Sequence, residues 1–183
     1  MYNIKKRKLI FKNQVYKVYS NYIKSKRLII KDYLSIEVKG KTFGGVCCLI
    51  FKNNSIGLMK IYSPITKKFF YSIVQGFTEP NERAKDSIKR EVQEEVGFKF
   101  KKKNFKKLCE LYPIQSLIKS KLAVYKVDFD NQEQDFPKKI ISEIGVGKLN
   151  FFRTKKIIQM IKKPQTFDLI SYSALTYFLF LSR

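Results

Sequence analysis

The amino-acid sequence predicts an α/β (α+β) fold, in which strands lie on either side of one central helix and further helices follow near the end. Three observations support this prediction. Short apolar runs that are typical of strands fill the chain up to residue 75. Apolar residues then recur at every fourth position between residues 84 and 96. Helical periodicity returns at residues 154–162 and 168–181.

The first part of the chain alternates basic and apolar side chains, which is typical of two or three strands that precede a main fold. A turn is predicted at residues 39–41, where a glycine lies between two lysines. We therefore expect two regions, an N-terminal β region at residues 1–42 and a main domain at residues 43–183.

The main domain opens with an almost unbroken apolar run, FGGVCCLIF, short enough to be one buried strand. Asn53 and Asn54 follow and predict a hairpin turn. The next strand leads directly into Gly76, where the backbone must turn sharply or approach a ligand. The predicted strands span residues 43–51, 56–61 and 69–74.

Beyond the central helix, the lysine-rich residues 99–107 predict a solvated basic loop. Two more strands are expected at residues 108–112 and 122–127, and residues 128–137 read as an acidic, flexible segment. The apolar residues 167–181 are too few to cross a bilayer and include an aspartate, so they predict a packed terminal helix.

The central helix carries its own start and stop signals. Asn81 is a plausible N-cap, and Gly97 is placed to end the helix in the left-handed conformation. The apolar stripe predicts packing against a core, with the acidic side chains at its rim. The stripe consists of Ala84, Ile88, Val92 and Val96.

Acidic residues are concentrated in this helix and the loop before it. Residues 76–98 hold six of the fifteen Asp and Glu residues of the chain. Glu91, Glu94 and Glu95 share one side of the helix, where like charges repel unless a cation is bound. Carboxylate oxygens suit magnesium, so the spacing favours a metal site. The alternative is a solvated helix face with no ligand. The six residues are Glu79, Glu82, Asp86, Glu91, Glu94 and Glu95.

The amino-acid composition excludes some kinds of function, but the high positive charge is weak evidence for any particular partner. The net charge of +23 would normally indicate nucleic acid or an anionic surface as a partner. However, the basic residues are scattered and mostly lysine, and Ile, Phe, Tyr and Asn are also abundant, so compositional bias explains the charge. The chain has no histidine, which excludes histidine acid–base chemistry. Its three cysteines form no disulfide or metal pattern, and no signal peptide is evident, so we expect a cytoplasmic protein with no membrane partner.

The acidic stretch resembles the Nudix box, the signature of the Nudix hydrolase family. Gly76 is followed by five residues and Glu82, then by seven residues and the run REVQEEVGF from Arg90 to Phe98. Every fixed position of the pattern is filled, although Asn81 stands where glycine is usual. The resemblance implies a Nudix fold, a mixed β-sheet packed between helices, with residues 1–42 as an extra N-terminal β region.

Loose similarities on both sides of the box resemble the ADP-ribose pyrophosphatase branch, and most closely the bacterial ADP compounds hydrolases. They include Tyr62 with the run to Gly76, the KPQTF turn at residues 163–167 and Ser173–Leu175. Ser63 stands where many ADP-ribose enzymes have arginine. In this branch the N-terminal β region serves dimerisation, so the resemblance implies a homodimer.

The resemblance also implies roles for individual residues. The cofactor would be Mg²⁺, with Mn²⁺ as an alternative, and Gly76 and Tyr62 would contact the substrate. Arg90 would orient the glutamates, and the general base would be Glu133 or Glu143, between which the sequence does not choose. The metal ligands would be Glu91 and Glu95, assisted by Glu94, Glu82 and the Gln75 carbonyl.

The implied activity is metal-dependent cleavage of the pyrophosphate bond in a small-molecule nucleotide, namely ADP-ribose, NADH, an ADP-sugar or a diadenosine polyphosphate, with release of AMP. Two alternatives stay open. One is a hydrolase of RNA 5′-pyrophosphates or dinucleoside polyphosphates. The other is a nucleic-acid-binding protein without catalysis, which the intact set of glutamates disfavours.

Overall fold

The structure is a computed structural model that describes residues 3–38, 44–129 and 148–181. Within these ranges the chain forms two mixed β-sheets and three α-helices, which confirms the α/β (α+β) prediction. The helices are α1 (Ala84–Val96), α2 (Thr154–Ile161) and α3 (Leu169–Thr176). The strands are β1 (Asn3–Lys12), β2 (Tyr16–Lys24), β3 (Ile29–Val38), β4 (Gly45–Lys52), β5 (Ser55–Ser63), β6 (Lys68–Ser72), β7 (Val74–Phe77), β8 (Lys106–Leu111), β9 (Ile118–Lys119), β10 (Leu122–Asp128) and β11 (Asn150–Arg153).

The N-terminal β region forms its own sheet, in the order β1-β2-β3-β9. Its first three strands are antiparallel neighbours, as the alternating pattern predicted. The short β9 comes from the main domain and pairs in parallel with β3, with Ile118 opposite Ile36. The hydroxyl of Tyr33 also donates to the Ser116 carbonyl. This sheet is therefore attached to the segment that precedes β10.

The main sheet has the order β11-β5-β4-β10-β8, with β6 paired to β5 and β7 paired to β4. The predicted hairpin turn between β4 and β5 is confirmed, since Asn53 and Asn54 take left-handed φ angles of 46° and 57°. Asparagine tolerates this conformation better than most residues. At its other side β4 pairs in parallel with β10, with Gly45 opposite Leu122.

Strand β4 is apolar from Gly45 to Phe51 because both faces of the main sheet are covered. Val46, Cys48 and Ile50 pack with the apolar stripe of α1 on one face. Cys47 and Leu49 pack on the opposite face, where α2 and α3 contribute Ile157 and Leu175. The main sheet thus lies between helices, as the resemblance to the Nudix family implied.

Several local expectations were wrong. The strand expected at residues 69–74 is interrupted at Ile73, whose backbone N–H donates to the Ser171 hydroxyl at 3.0 Å. The lysine-rich loop is anchored, because Phe100 and Phe105 within it are buried in the core. The terminal helix keeps α geometry only to Thr176 and continues as a π turn over Tyr177–Leu181.

In the part of the chain that the structure describes, no helix has both the length and the apolar character needed to cross a membrane.

Candidate active site

Helix α1 presents the acidic cluster, and its two ends are fixed in different ways. Gly97 ends the helix with a φ of 78°, as predicted, and its N–H bonds the Gln93 carbonyl at 2.9 Å. The Asn81 N-cap was wrong, because the helix begins at Ala84 and Arg83 occupies the cap position. Asn81 instead takes a left-handed φ of 71° in the preceding turn, a conformation incompatible with an extended N-cap.

The loop from β7 into α1 is held by Glu82. Its carboxylate accepts hydrogen bonds from the Ser87 hydroxyl at 2.6 Å and from the backbone N–H of Glu79 at 3.1 Å. Burial opposes ionisation of this carboxyl, but its hydrogen bonds with Arg90, Ser87 and Glu79 outweigh burial and lower the pKa of Glu82. Glu82 therefore stays ionised at neutral pH and anchors the loop.

Arg90 lies at the centre of the acidic cluster. Its Nη1 donates to Glu91 Oε1 at 2.8 Å and to Glu94 Oε2 at 3.0 Å. On the other edge of the guanidinium, Nε and Nη2 bind the two oxygens of Glu82 at 3.2 and 3.1 Å, and Nη2 also reaches the Phe77 carbonyl. Partial burial disfavours the charge on Arg90, but these carboxylates raise its pKa. One cation thus holds three of the four box glutamates in place.

Gly76 and Glu91 meet where β7 faces α1. A Cβ at Gly76 would lie closer than 3.0 Å to the carboxyl carbon and both oxygens of Glu91. Glycine is needed here because the carboxylate occupies the space that a side chain on the strand would fill. Glu91 is buried, contrary to the expectation that all the acids would lie at a solvent-exposed rim.

A cleft of about 520 Å³ opens beside this contact. Glu91, Glu94 and Glu95 line it together with Gln75 and Gly76. The sequence analysis missed two other lining residues, Gln14 and Val15 between β1 and β2, for which the sequence offers no signal. Within residues 3–38, 44–129 and 148–181, no group of three or more Asp, Glu, Cys or His side chains converges closely enough to hold a metal ion.

Other predicted site residues lie elsewhere. Tyr62 is on β5, where its ring packs 5.1 Å from that of Phe69, and it is not among the residues that line the cleft. Glu133 and Glu143 lie outside the described residues. The buried Cys47 and Cys48 are not candidate nucleophiles, because desolvation raises their pKa well above its usual value.

Replacing Gly76 with alanine is expected to displace the Glu91 carboxylate. The added methyl group should lower the free energy of unfolding by about 1–3 kcal/mol, as overpacking does elsewhere. Urea unfolding of Gly76→Ala measures this loss. The comparison is Gly45→Ala on the neighbouring strand, where the nearest atom to a new Cβ would be the Gly76 carbonyl oxygen at 3.1 Å and a smaller loss is expected. Equal stability losses in the two variants would contradict a specific clash with Glu91.

Comparison with known proteins shows a likeness in fold. No family model matches the sequence. No curated protein matches it either. Among solved structures, an ADP compounds hydrolase superposes with a TM-score of 0.71 over 95% of this chain and 90% of that chain, at 16% sequence identity. At this identity the likeness concerns the fold, and the protein described here has a Nudix-like fold.

Proposed function

We propose that the protein is a metal-dependent pyrophosphohydrolase that cleaves the pyrophosphate bond of ADP-linked compounds and releases AMP. One observation carries this proposal. The residues that match the Nudix box at Gly76, Arg90, Glu91, Glu94 and Glu95 line a single cleft, in a chain whose fold resembles that of an ADP compounds hydrolase. A solvated acidic helix would not need the buried glutamate, its glycine neighbour and the central arginine.

The chemistry of the site fits a hard divalent cation. Its side-chain donors are carboxylate oxygens, the ligands that Mg²⁺ and Mn²⁺ prefer. Because Gly76 has no side chain, the Glu91 carboxylate can lie directly beside the strand. When bound, a divalent ion neutralises charge on the phosphate oxygens and lowers the pKa of a water molecule.

Glu91 and Glu95 would be the principal metal ligands in this proposal, with Glu94 assisting. The Gln75 backbone carbonyl would be a further ligand, since Gln75 lines the same cleft from β7. Glu82 contributes in a different way, because its oxygens are already engaged by Arg90, Ser87 and Glu79. We assign it the anchoring of the loop.

Arg90 would act as a positioning residue. It fixes Glu91 and Glu94 relative to β7 through the Phe77 carbonyl, and Glu82 fixes Arg90 in turn. Glu133 or Glu143 would supply the general base that accepts a proton from the attacking water. Adenosine contacts would come from the cavities beside the cleft, where Tyr16 and Phe77 pack edge to face at 5.9 Å.

A substrate panel tests the proposal directly. ADP-ribose, NADH, an ADP-sugar and diadenosine polyphosphates are incubated with millimolar Mg²⁺ or Mn²⁺, and AMP release is measured. We expect AMP from at least one compound, and no release with EDTA. Triphosphorylated RNA is the competing substrate. Faster phosphate release from RNA than AMP release from every ADP compound would replace this proposal with the RNA alternative.

The proposal includes a homodimer formed through the N-terminal β region. Strand β1 is exposed along its whole length and presents Leu9, Ile10 and Phe11 to solvent. A partner would cover this exposed apolar run at the end of the strand, which otherwise carries mainly basic side chains. Sedimentation equilibrium would give the mass of a single chain if this part of the proposal were wrong.

A further inference from the structure

A basic cavity lies between the N-terminal sheet and the loop that leads to β9. Its volume is about 670 Å³, and it is walled by β1 and β3 on one side and by residues 112–121 on the other. Arg7, Lys119 and Lys121 line it, and among the described residues no carboxylate does. The cavity is large enough for part of a nucleotide.

The three cations have carboxylate partners that stand outside this lining. Glu37 binds Arg7 at 2.9 Å and Lys119 at 3.5 Å, and Glu110 binds Lys121 at 3.1 Å. Lys119 is 78% exposed. An ion pair of so exposed a lysine contributes little to stability, so Lys119 can also bind a phosphate, and Arg7 and Lys121 are 34% and 39% exposed. The three positive charges exceed the two carboxylates and leave the cavity basic.

This basic cavity is the last of three cavities in a row. Ile118 and Ser120 line both the basic cavity and a mainly apolar one of about 340 Å³. Gln75, Gly76 and Phe77 line both that apolar cavity and the acidic cleft. The acidic cleft, the apolar cavity and the basic cavity are therefore neighbours that share wall residues.

The order acidic, apolar, basic describes the ligand. An acidic cleft that holds divalent ions takes a pyrophosphate, and an apolar cavity beside the Tyr16 and Phe77 rings takes a nucleobase or sugar. Two lysines and an arginine at the far end take an anion. Tyr112, 55% exposed, lines the same cavity with Lys121 Nζ 5.9 Å from its ring centre.

We propose that the preferred substrate is an adenosine 5′-pyrophosphate compound whose nucleoside carries a further phosphate, and that Arg7, Lys119 and Lys121 bind that phosphate. This rests on the proposed function for the cleavage step only, since binding of the second phosphate needs no turnover. Two kinds of ligand carry a phosphate at this position. That phosphate belongs either to a ribose phosphorylated at the 2′ or 3′ position or to the next nucleotide of an RNA.

Binding is measured by calorimetry at millimolar Mg²⁺ with probes that contain no pyrophosphate bond, so that hydrolysis plays no part. The probes are AMP, adenosine 2′,5′-bisphosphate, adenosine 3′,5′-bisphosphate and the dinucleotide pApA. We expect at least one doubly phosphorylated probe to bind about tenfold more tightly than AMP, the effect of two exposed charge contacts. Preference for a bisphosphate would indicate a small substrate, and preference for pApA would indicate an RNA end.

The Lys119→Gln/Lys121→Gln double variant should lose most of this tenfold preference and keep wild-type affinity for AMP. Both side chains are solvent-accessible, so the fold should be retained, which thermal unfolding checks. Lys101→Gln/Lys103→Gln is the control with the same charge change on exposed residues that line none of the three cavities. It should leave all affinities unchanged.

Three results would overturn the inference. Equal affinities of the wild-type protein for AMP and every other probe would show that no second phosphate is bound. Equal weakening of AMP and the other probes in the double variant, or the same loss in the control, would reduce the effect to general electrostatics. Because no probe is cleaved, a protein that hydrolyses nothing could still pass this test, and an active hydrolase could fail it.

Discussion

The Glu95→Gln variant is expected to lose magnesium-dependent AMP release by a factor on the order of a hundred or more. Glu95 lies on the cleft wall and would be one of the two principal metal ligands. Glutamine keeps the length of the side chain and removes the charge that the cation needs. The apolar contacts of Ile88, Val92 and Val96 hold α1 in place independently of this carboxylate, so the fold should be retained. Steady-state kinetics and circular dichroism measure these two expectations, and calorimetric titration should show weaker binding of Mn²⁺ to the variant.

Glu79→Gln is the matched control for this substitution. Glu79 lines the same cleft, and its substitution removes the same charge. However, its side chain is 69% exposed and approaches Arg90 only to 4.0 Å. We expect near wild-type turnover from it. Loss of activity in both variants to the same degree would mean that only the total acidity of the cleft matters. Wild-type turnover of Glu95→Gln would refute the assignment of Glu95.

Replacing Arg90 with lysine is expected to lower the free energy of unfolding by about 2 kcal/mol, in the range for loss of hydrogen bonds to charged groups. One edge of the planar guanidinium binds Glu82, and another edge binds both Glu91 and Glu94. A single ammonium group cannot bind all three carboxylates in this way. The glutamates left without it should repel each other. Urea unfolding measures the loss, and turnover should fall as well because the carboxylates are no longer positioned.

Magnesium makes the Arg90→Lys experiment diagnostic. If the released carboxylates bind the cation, millimolar Mg²⁺ should stabilise the variant more than it stabilises the wild-type protein. Arg83→Lys is the control, since Arg83 is exposed, lies in the same segment and makes no side-chain cap to α1. If Mg²⁺ did not change the free energy of unfolding of the variant, this result would contradict a cation site at these glutamates.

The elements that the sequence predicted best are those whose signal is local. The apolar stripe of α1, the glycine at its end and the Asn53–Asn54 turn each depend on a few neighbouring residues, and all three are confirmed. The Nudix fold expected from the box agrees with the structure and with its neighbour among solved structures.

The errors arise where distant contacts override local preference. The break at Ile73 depends on Ser171, far along the chain, whose hydroxyl takes the place of a strand partner. Lysines around Phe100 and Phe105 suggested a solvated loop, although the two rings reach the core. Strand β11 was not predicted, because it exists through its pairing with β5. The burial of Glu91 likewise follows from its contact with Gly76 on β7. The periodicity of a single helix carries no information about such a contact with a strand.

The parallel pairing of β4 with β10 has a kinetic consequence. Residues 45 and 122 must meet before the central sheet is complete, and the whole of α1 lies in the chain between them. Closing so long a loop is entropically costly, and such non-local pairings slow folding. During synthesis the acidic helix must therefore leave the ribosome well before the strand that completes its platform, and catalytic competence would be among the last properties that the nascent chain acquires.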